Sequence, residues 1–161
     1  MEKICTILMV FVLLLGLAAC GAAKLADPQE GFTIIYNGCE ITLNADAEPI
    51  IASLGQPKNY TEEPSCAFNG MDKTYFYGSF YLSTYPQNGK DYVFRVWFVD
   101  DGIATEDGIR IGDSQAEAEK IWGTDCFRSS NTYTQVKKDS KMTVILTNGL
   151  VSSIQYEAAI Q

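Results

Sequence analysis

The sequence predicts an α+β fold made of two tandem repeats, each a short helix followed by an antiparallel sheet, joined into one domain. Two segments, Ile41–Gly55 and Ile109–Gly123, share a pattern at an offset of 68 residues. Each contains a helix-capping residue and closes on a glycine that suits a helix C-terminus. Each is followed by strand-like sequence that folds at an Asn-Gly pair, a strong short-range hairpin signal. The recurrence of these features in one order favours an internal repeat.

The chain begins with a predicted signal peptide over residues 1–19. Lys3 provides a positive start, an apolar run of about 14 residues follows, and Ala18-Ala19 forms a small-residue cleavage site. The run is shorter than the ~20 residues that span a bilayer. Because Cys20 follows directly, the stretch resembles the lipobox of bacterial lipoproteins. The resemblance implies cleavage between Ala19 and Cys20, diacylglycerol and palmitate on Cys20, and lipid anchoring on the outer face of the bacterial cell membrane. The alternative is a secretory leader with a coincidental cysteine.

Residues 20–31 are predicted to be a lipidated tether, because they are small or polar and are interrupted by Pro28. Such a segment reaches at most ~40 Å when extended. The remaining residues, 32–161, suit one domain whose two repeats cover about 32–104 and 105–158. An acidic stretch, residues 100–108, is the expected joint between the repeats.

The composition excludes several classes of function. The net charge is −8 and the chain has no basic cluster, which argues against nucleic acid as a partner. The sequence contains no histidine, which excludes His-dependent triads and histidine metal ligands. We therefore expect no catalytic residues, no metal site and no cofactor.

Three of the five cysteines, Cys39, Cys66 and Cys126, fall in the predicted exported domain. Three cysteines outside the cytosol indicate one disulfide and one remaining thiol. We favour Cys39–Cys66, whose loop of ~28 residues would stabilise the fold by about 3 kcal/mol on the entropy model. The alternative is three buried thiols.

Two helices of about two turns are predicted. Asp46 and Ser114 are good N-caps, and Glu117 follows Ser114 at the spacing of a capping box. Gly55 and Gly123 are expected to end the helices. The residues expected to face inward are Ile50, Ile51 and Leu54 in the first helix and Ala118, Ile121 and Trp122 in the second.

Two antiparallel hairpins are predicted around Asn88-Gly89 and Asn148-Gly149. An Asn-Gly pair suits a type I′ turn because both residues adopt positive φ at low cost. The strands predicted to flank these turns are Lys73–Tyr85 with Asp91–Val99, and Lys141–Thr147 with Leu150–Tyr156.

Four segments form a recognisable combination: Leu54-Gly55 at a helix end, Cys66–Lys73, the tyrosine-rich strand after it, and Ile109–Ser114 at a helix start. Together they resemble a group of uncharacterised lipoproteins from Gram-positive anaerobes. The tandem units of that group are similar to those of the beta-lactamase inhibitor protein, and the resemblance covers about residues 32–158. It implies helices packed on sheets that form a concave face. No segment matches the contact loops of the inhibitor, so the resemblance implies no inhibitory residue.

Alternation along Lys73–Tyr85 predicts a binding face. Phe76, Phe80 and Leu82 fall on one side and the tyrosines on the other, provided that Gly78 interrupts the register. With the return strand included, the candidate binding face comprises Tyr77, Tyr81, Tyr85, Arg95 and Trp97. Tyr, Trp and Arg are enriched at interaction hot spots. The alternative is that tyrosines suit strands and cover a second layer.

Acidic residues offer a second kind of site. The candidates are Glu62, Glu63, Asp100, Asp101, Glu106, Asp107 and Asp113. None has the spacing of a calcium loop. Two of them could converge as the general acid and base of a glycosidase. Solvated turns are the alternative.

These observations favour a membrane-anchored extracytoplasmic lipoprotein that acts as a non-enzymatic interaction module. Its expected partners are the membrane, through the lipid anchor, and an extracytoplasmic protein or peptide. The alternatives are an inhibitor of an extracellular enzyme and a carboxylate-dependent cell-wall glycan hydrolase.

Overall fold

The structure is a computed structural model that describes residues 31–127 and 130–159. The predicted signal peptide, the cleavage position at Ala19, the lipidation position Cys20 and the tether up to Glu30 lie outside the described residues. Within the described residues, no helix is long and apolar enough to cross a membrane.

The described chain forms two helices and nine strands, with 49% of its residues in strands and 13% in helices. In chain order the elements are β1 Thr33–Tyr36, β2 Cys39–Thr42, α1 Ala47–Leu54, β3 Asn59–Pro64, β4 Met71–Phe76, β5 Phe80–Gln87, β6 Lys90–Phe98, α2 Gln115–Trp122, β7 Thr132–Lys137, β8 Ser140–Thr147 and β9 Leu150–Ala158. The molecule is therefore mostly β.

The predicted α+β class with two tandem helix-plus-sheet repeats is wrong. One antiparallel sheet contains seven strands in the order β3-β4-β5-β6-β9-β8-β7, and β1 and β2 form a separate hairpin. The two halves merge because β6 pairs with β9, with Val96 opposite Tyr156. Each helix has only eight residues. The sheet, rather than two helix-sheet units, is thus the framework of the fold.

Both helices occupy the predicted positions. The Asp46 side chain accepts a hydrogen bond from Glu48 N, and Ser114 forms a full capping box with Glu117. Gly55 and Gly123 close the helices through backbone bonds to Ile51 O and Glu119 O. Ile50 and Ala118 are buried as expected, but the inward prediction for Ile121 is wrong, because 47% of its surface is exposed.

Asn-Gly pairs form three of the tight turns. Asn37-Gly38, Asn88-Gly89 and Asn148-Gly149 all have positive φ at both residues, as type I′ turns require. The predicted strand Lys73–Tyr85 is instead two strands, β4 and β5. They are joined by a turn at residues 77–79, in which Gly78 has a φ of +98°.

The core lies on one side of the seven-stranded sheet, called here the inner face. The β1–β2 hairpin and both helices contribute to the same buried cluster as the sheet. Sheet residues buried on the inner face are Phe80, Leu82, Val96, Phe98, Val144, Ile154 and Tyr156. The alternate residues form the outer face, where Phe68 of the β3–β4 connection packs against Tyr85.

Candidate functional site

Three aromatic side chains form a continuous stack across the outer face, called here the aromatic ladder. Phe76 lies opposite Tyr81, and Tyr81 lies opposite Trp97, on β4, β5 and β6. The ring centroids are 4.5 Å apart in the first pair and 4.8 Å apart in the second, with interplanar angles of 26° and 12°. These separations match the spacing of neighbouring strands, ~4.8 Å. The rings therefore stand on the sheet with their faces against one another and their edges toward solvent.

The turn at residues 77–79 sets the register of the ladder. Tyr77 N donates a hydrogen bond to Phe80 O over 3.0 Å. This closes a short loop in which the positive φ of Gly78 is easily adopted because glycine lacks a Cβ atom. As a result Phe76 and Tyr81 become direct partners, and directly opposed residues project on the same side of an antiparallel sheet.

The ladder carries two hydrogen-bond donors, the Tyr81 hydroxyl and the Trp97 indole N–H. The other tryptophan, Trp122, donates its indole N–H to Asp107 Oδ2 over 2.8 Å. An aromatic surface with polar tips suits contacts in which one part of the side chain is buried and the other finds a polar partner.

Arg95 lies on the outer face in the next row of side chains, beside the ladder. Its Nη2 lies 3.6 Å from Glu157 Oε1, and its guanidinium lies 4.9 Å from the centre of the Phe94 ring. Its Nε is buried and has no hydrogen-bond partner among the described residues. The contacts with Glu157 and Phe94 therefore hold the Arg95 side chain in place beside the ladder.

Two residues of the predicted binding face do not belong to it. Tyr77 is 7% exposed and stacks on Phe80 with centroids 5.2 Å apart. Burial raises the pKa of Tyr77 to about 12. Tyr85 is equally buried, and its hydroxyl donates to Asn44 Oδ1 over 3.1 Å. Tyr77 lies in the turn between β4 and β5, whereas Tyr85 follows the alternation of Tyr81 on β5 but is covered by the rings of Phe68 and Phe94.

The sequence predicted Phe76 on the core side, because Lys73–Tyr85 was treated as one strand. In the structure Phe76 lies in the ladder. The structure brings Tyr81, Arg95 and Trp97 together on the outer face. The row of the ladder then continues across β9, β8 and β7 as a polar strip of Gln155, Thr143 and Thr134. A turn placed at Gly78, instead of a register break, would have predicted the position of Phe76.

The cysteines do not form the predicted Cys39–Cys66 disulfide. Cys39, Cys66 and Cys126 are all free thiols. Cys39 lies on β2, where its thiol is 3.9 Å from Ile50 O of α1, whereas Cys66 is exposed in the β3–β4 connection. Burial is the main cause of the raised pKa of the Cys126 thiol, which opposes the thiolate that a reactive cysteine needs.

The acidic candidates make local contacts. Asp100 Oδ1 accepts from Gly102 N, and Asp113 Oδ2 accepts from Arg110 N. Glu106 pairs with Lys137 at 2.9 Å. Among the described residues, no three His, Cys, Asp or Glu side chains form a group that could hold a metal. These contacts are typical of residues that order loops.

A cleft of about 570 Å³ lies on the other side of the molecule, between the β1–β2 hairpin and the segment after β6. Its charged lining residues are Glu40, Glu106, Arg110 and Lys137. The Arg110 guanidinium donates to Asp101 O, and Lys137 pairs with Glu106. The cations of the cleft are therefore engaged by the protein itself.

Comparison of the chain with protein-family models, with curated proteins and with solved structures gave no match. The geometry of the outer face is therefore the basis on which a function can be assigned.

Proposed function

We propose that the protein is a membrane-anchored extracytoplasmic lipoprotein that binds another protein or a peptide across the outer face of its sheet, without catalysing a reaction. The observation that supports this most directly is the aromatic ladder of Phe76, Tyr81 and Trp97 on the outer face of the sheet. The leader sequence ending at Cys20 supports the proposed anchor and location.

The chemistry of the outer face favours a protein partner. Trp, Tyr and Arg dominate interaction hot spots, where removal of one side chain costs about 2 kcal/mol or more of binding free energy. Here Trp97, Tyr81 and Arg95 are adjacent on the outer face. The polar strip beside them resembles the hydrogen-bonding rim that surrounds the apolar centre of protein interfaces.

The orientation of the rings disfavours a glycan ligand. A sugar packs its apolar C–H face flat on an aromatic ring face, but the facing surfaces of the ladder rings already contact one another. The edges that remain accessible, with the Tyr81 hydroxyl and the Trp97 N–H, suit the mixture of apolar and polar groups on a protein surface.

Affinity capture with the tagged full chain tests the proposal. A protein from the cell envelope should be retained by the wild type and lost by the double variant Tyr81→Ala/Trp97→Ala. The matched control is Thr143→Ala/Gln155→Ala, which changes the polar strip on the same face and should retain most of the capture. Protease treatment of the envelope extract before capture should abolish it.

The double variant removes two cross-strand ring pairs, each of which contributes only about 0.2–1 kcal/mol, and should remain folded. Its thermal midpoint is measured alongside capture. Equal capture by the wild type and by a folded ladder variant would rule out this face. Capture that survives protease treatment and is lost with glycan digestion would assign the face to a glycan instead.

A further inference from the structure

The two edges of the seven-stranded sheet differ in a way that concerns self-association. We propose that β7 is the docking edge for a second copy of this chain, so that two sheets join edge to edge in a symmetric dimer. This inference goes beyond the proposed partner binding and does not depend on it.

Among the described residues, no strand pairs with β7 on the side away from β8. Leu146 N donates to Asn131 O over 2.7 Å. This bond shows that Asn131 and Leu146 form a hydrogen-bonded pair between β7 and β8. Hydrogen-bonded and non-hydrogen-bonded pairs alternate along two antiparallel strands, so the odd-numbered residues of β7 are the ones whose backbone groups bond to β8. Thr132, Thr134 and Val136 therefore direct their N–H and C=O groups outward. β7 is the last strand of the sheet, and no other described strand pairs with it.

The opposite edge, β3, is protected against such pairing. Ser65 N donates to Gly70 O over 3.0 Å, so by the same alternation Tyr60, Glu62 and Pro64 face outward. Pro64 has no N–H to offer, and Glu62 would meet the same carboxylate of a second copy. Proline and charge are common ways to block edge association. β7 has neither at its outward positions, and Val136 is 67% exposed.

The sequence of β7 is complementary to itself in the antiparallel direction. With Thr134 on the two-fold axis, it lies opposite Thr134 of the second copy, and Val136 lies opposite Thr132. Both are favourable cross-strand pairs. Lys137 falls opposite Asn131, so no like charges meet directly. This register places all three outward residues in hydrogen-bonded pairs, as an isologous interface requires.

The symmetric pairing would place both outer faces on the same side of one fourteen-stranded sheet. The two Trp97 residues would then be separated by seven strand intervals, or roughly 34 Å. A partner with two matching surfaces would bind such a dimer with an avidity that one ladder cannot provide. One strand pair buries little area, so the dimer is expected to be weak and reversible.

Cysteine cross-linking tests the register. The full chain is expressed with its leader in a bacterial host, with Cys39, Cys66 and Cys126 replaced by serine, and is oxidised with copper phenanthroline. Thr134→Cys should form a disulfide-linked species of twice the monomer mass, because Cα atoms in a hydrogen-bonded pair lie about 5.5 Å apart, within disulfide range. Reduction should return it to monomer.

Thr132→Cys is the matched control, since Thr132 is also exposed on the same edge. In the proposed register the two Thr132 residues are about 14 Å apart, too far for a disulfide. Thr132→Cys alone should therefore stay monomeric, while Thr132→Cys and Val136→Cys chains expressed together should cross-link to each other. Equal cross-linking of Thr134→Cys and Thr132→Cys, no cross-linking at either position, or a product with another protein would overturn the proposal. Because the ladder is unchanged in these variants, the outcome is separate from that of the capture experiment.

Discussion

Tyr77 and Tyr85 are buried to the same extent but differ in what their hydroxyl groups contact. Tyr85 donates to Asn44 Oδ1, which in turn links through its Nδ2 to Asp139 Oδ2 over 2.9 Å. The Tyr77 hydroxyl has no hydrogen-bond partner among the described residues. The two residues therefore form a natural pair for testing how hydrogen bonding, rather than burial, affects stability.

We predict that Tyr85→Phe lowers the free energy of unfolding by about 1 kcal/mol, because Asn44 loses its donor. Tyr77→Phe should leave the free energy unchanged or raise it by up to about 1 kcal/mol, since it removes a buried hydroxyl without a partner. Urea unfolding at pH 7 measures both values. A larger loss for Tyr77→Phe than for Tyr85→Phe would contradict the hydrogen-bond assignment.

The pKa of Tyr77 makes a separate prediction at alkaline pH. Burial raises this pKa to about 12, whereas a tyrosine in the unfolded chain titrates near pH 10. The unfolded state therefore releases a proton before the folded state does. The contribution of the raised Tyr77 pKa to the free energy of unfolding is therefore complete below about pH 10 and is lost as the pH rises toward 12.

Tyr77→Phe removes that titration. The stability of the variant relative to the wild type should therefore increase between pH 9 and pH 11.5, as measured by urea unfolding at both values. A constant difference across this range would show that Tyr77 ionises equally in the folded and unfolded states.

Among the elements, the turn between β4 and β5 has the largest effect on the ladder. A Cβ atom at Gly78 would lie 2.6 Å from Lys58 Nζ and would force an L-residue into a φ of +98°. We predict that Gly78→Ala lowers the free energy of unfolding by about 1–2 kcal/mol and weakens partner capture by altering the opposition of Phe76 and Tyr81. Urea unfolding and capture are measured on the same preparation.

Gly108→Ala is the control for Gly78→Ala. Gly108 has a similar φ of +92°, a Cβ atom added there would meet nothing within 4 Å, and the residue lies away from the ladder. The Gly108→Ala variant should lose a comparable free energy of unfolding and keep full capture. If both variants lose capture equally, reduced stability alone explains the effect.

Local chemistry made some elements predictable from sequence. The cap at Ser114 and the turns at Asn88-Gly89 and Asn148-Gly149 depend on residues close in the chain. The position of Phe76 depended on whether Gly78 bends a strand or reverses it, which alternation alone does not distinguish. The pairing of β6 with β9 joins residues as distant as Arg95 and Glu157, and no local signal specifies such a pair. The single sheet and the full ladder therefore required the structure.

The continuous sheet determines how the whole molecule should unfold. The pairing of β6 with β9 connects strands from both halves of the chain, and both halves contribute to one buried cluster. If either half unfolded, the central strand of the other half would lose its partner on one side. Cooperative, two-state unfolding is therefore expected.

The two tryptophans report on different halves, since Trp97 lies on β6 and Trp122 ends α2. We predict that single-tryptophan variants, Trp122→Phe and Trp97→Phe, show fluorescence transitions that coincide with the circular dichroism transition of the same variant.

Ile154 on β9 is fully buried, so Ile154→Ala should lower the free energy of unfolding by about 2–5 kcal/mol. When Ile154→Ala is introduced into each single-tryptophan variant, the fluorescence midpoints of Trp97 and Trp122 should both fall, because β9 belongs to the sheet that the two halves share. If Ile154→Ala shifts only the Trp122 signal, the halves unfold independently and the β6–β9 pairing does not couple them.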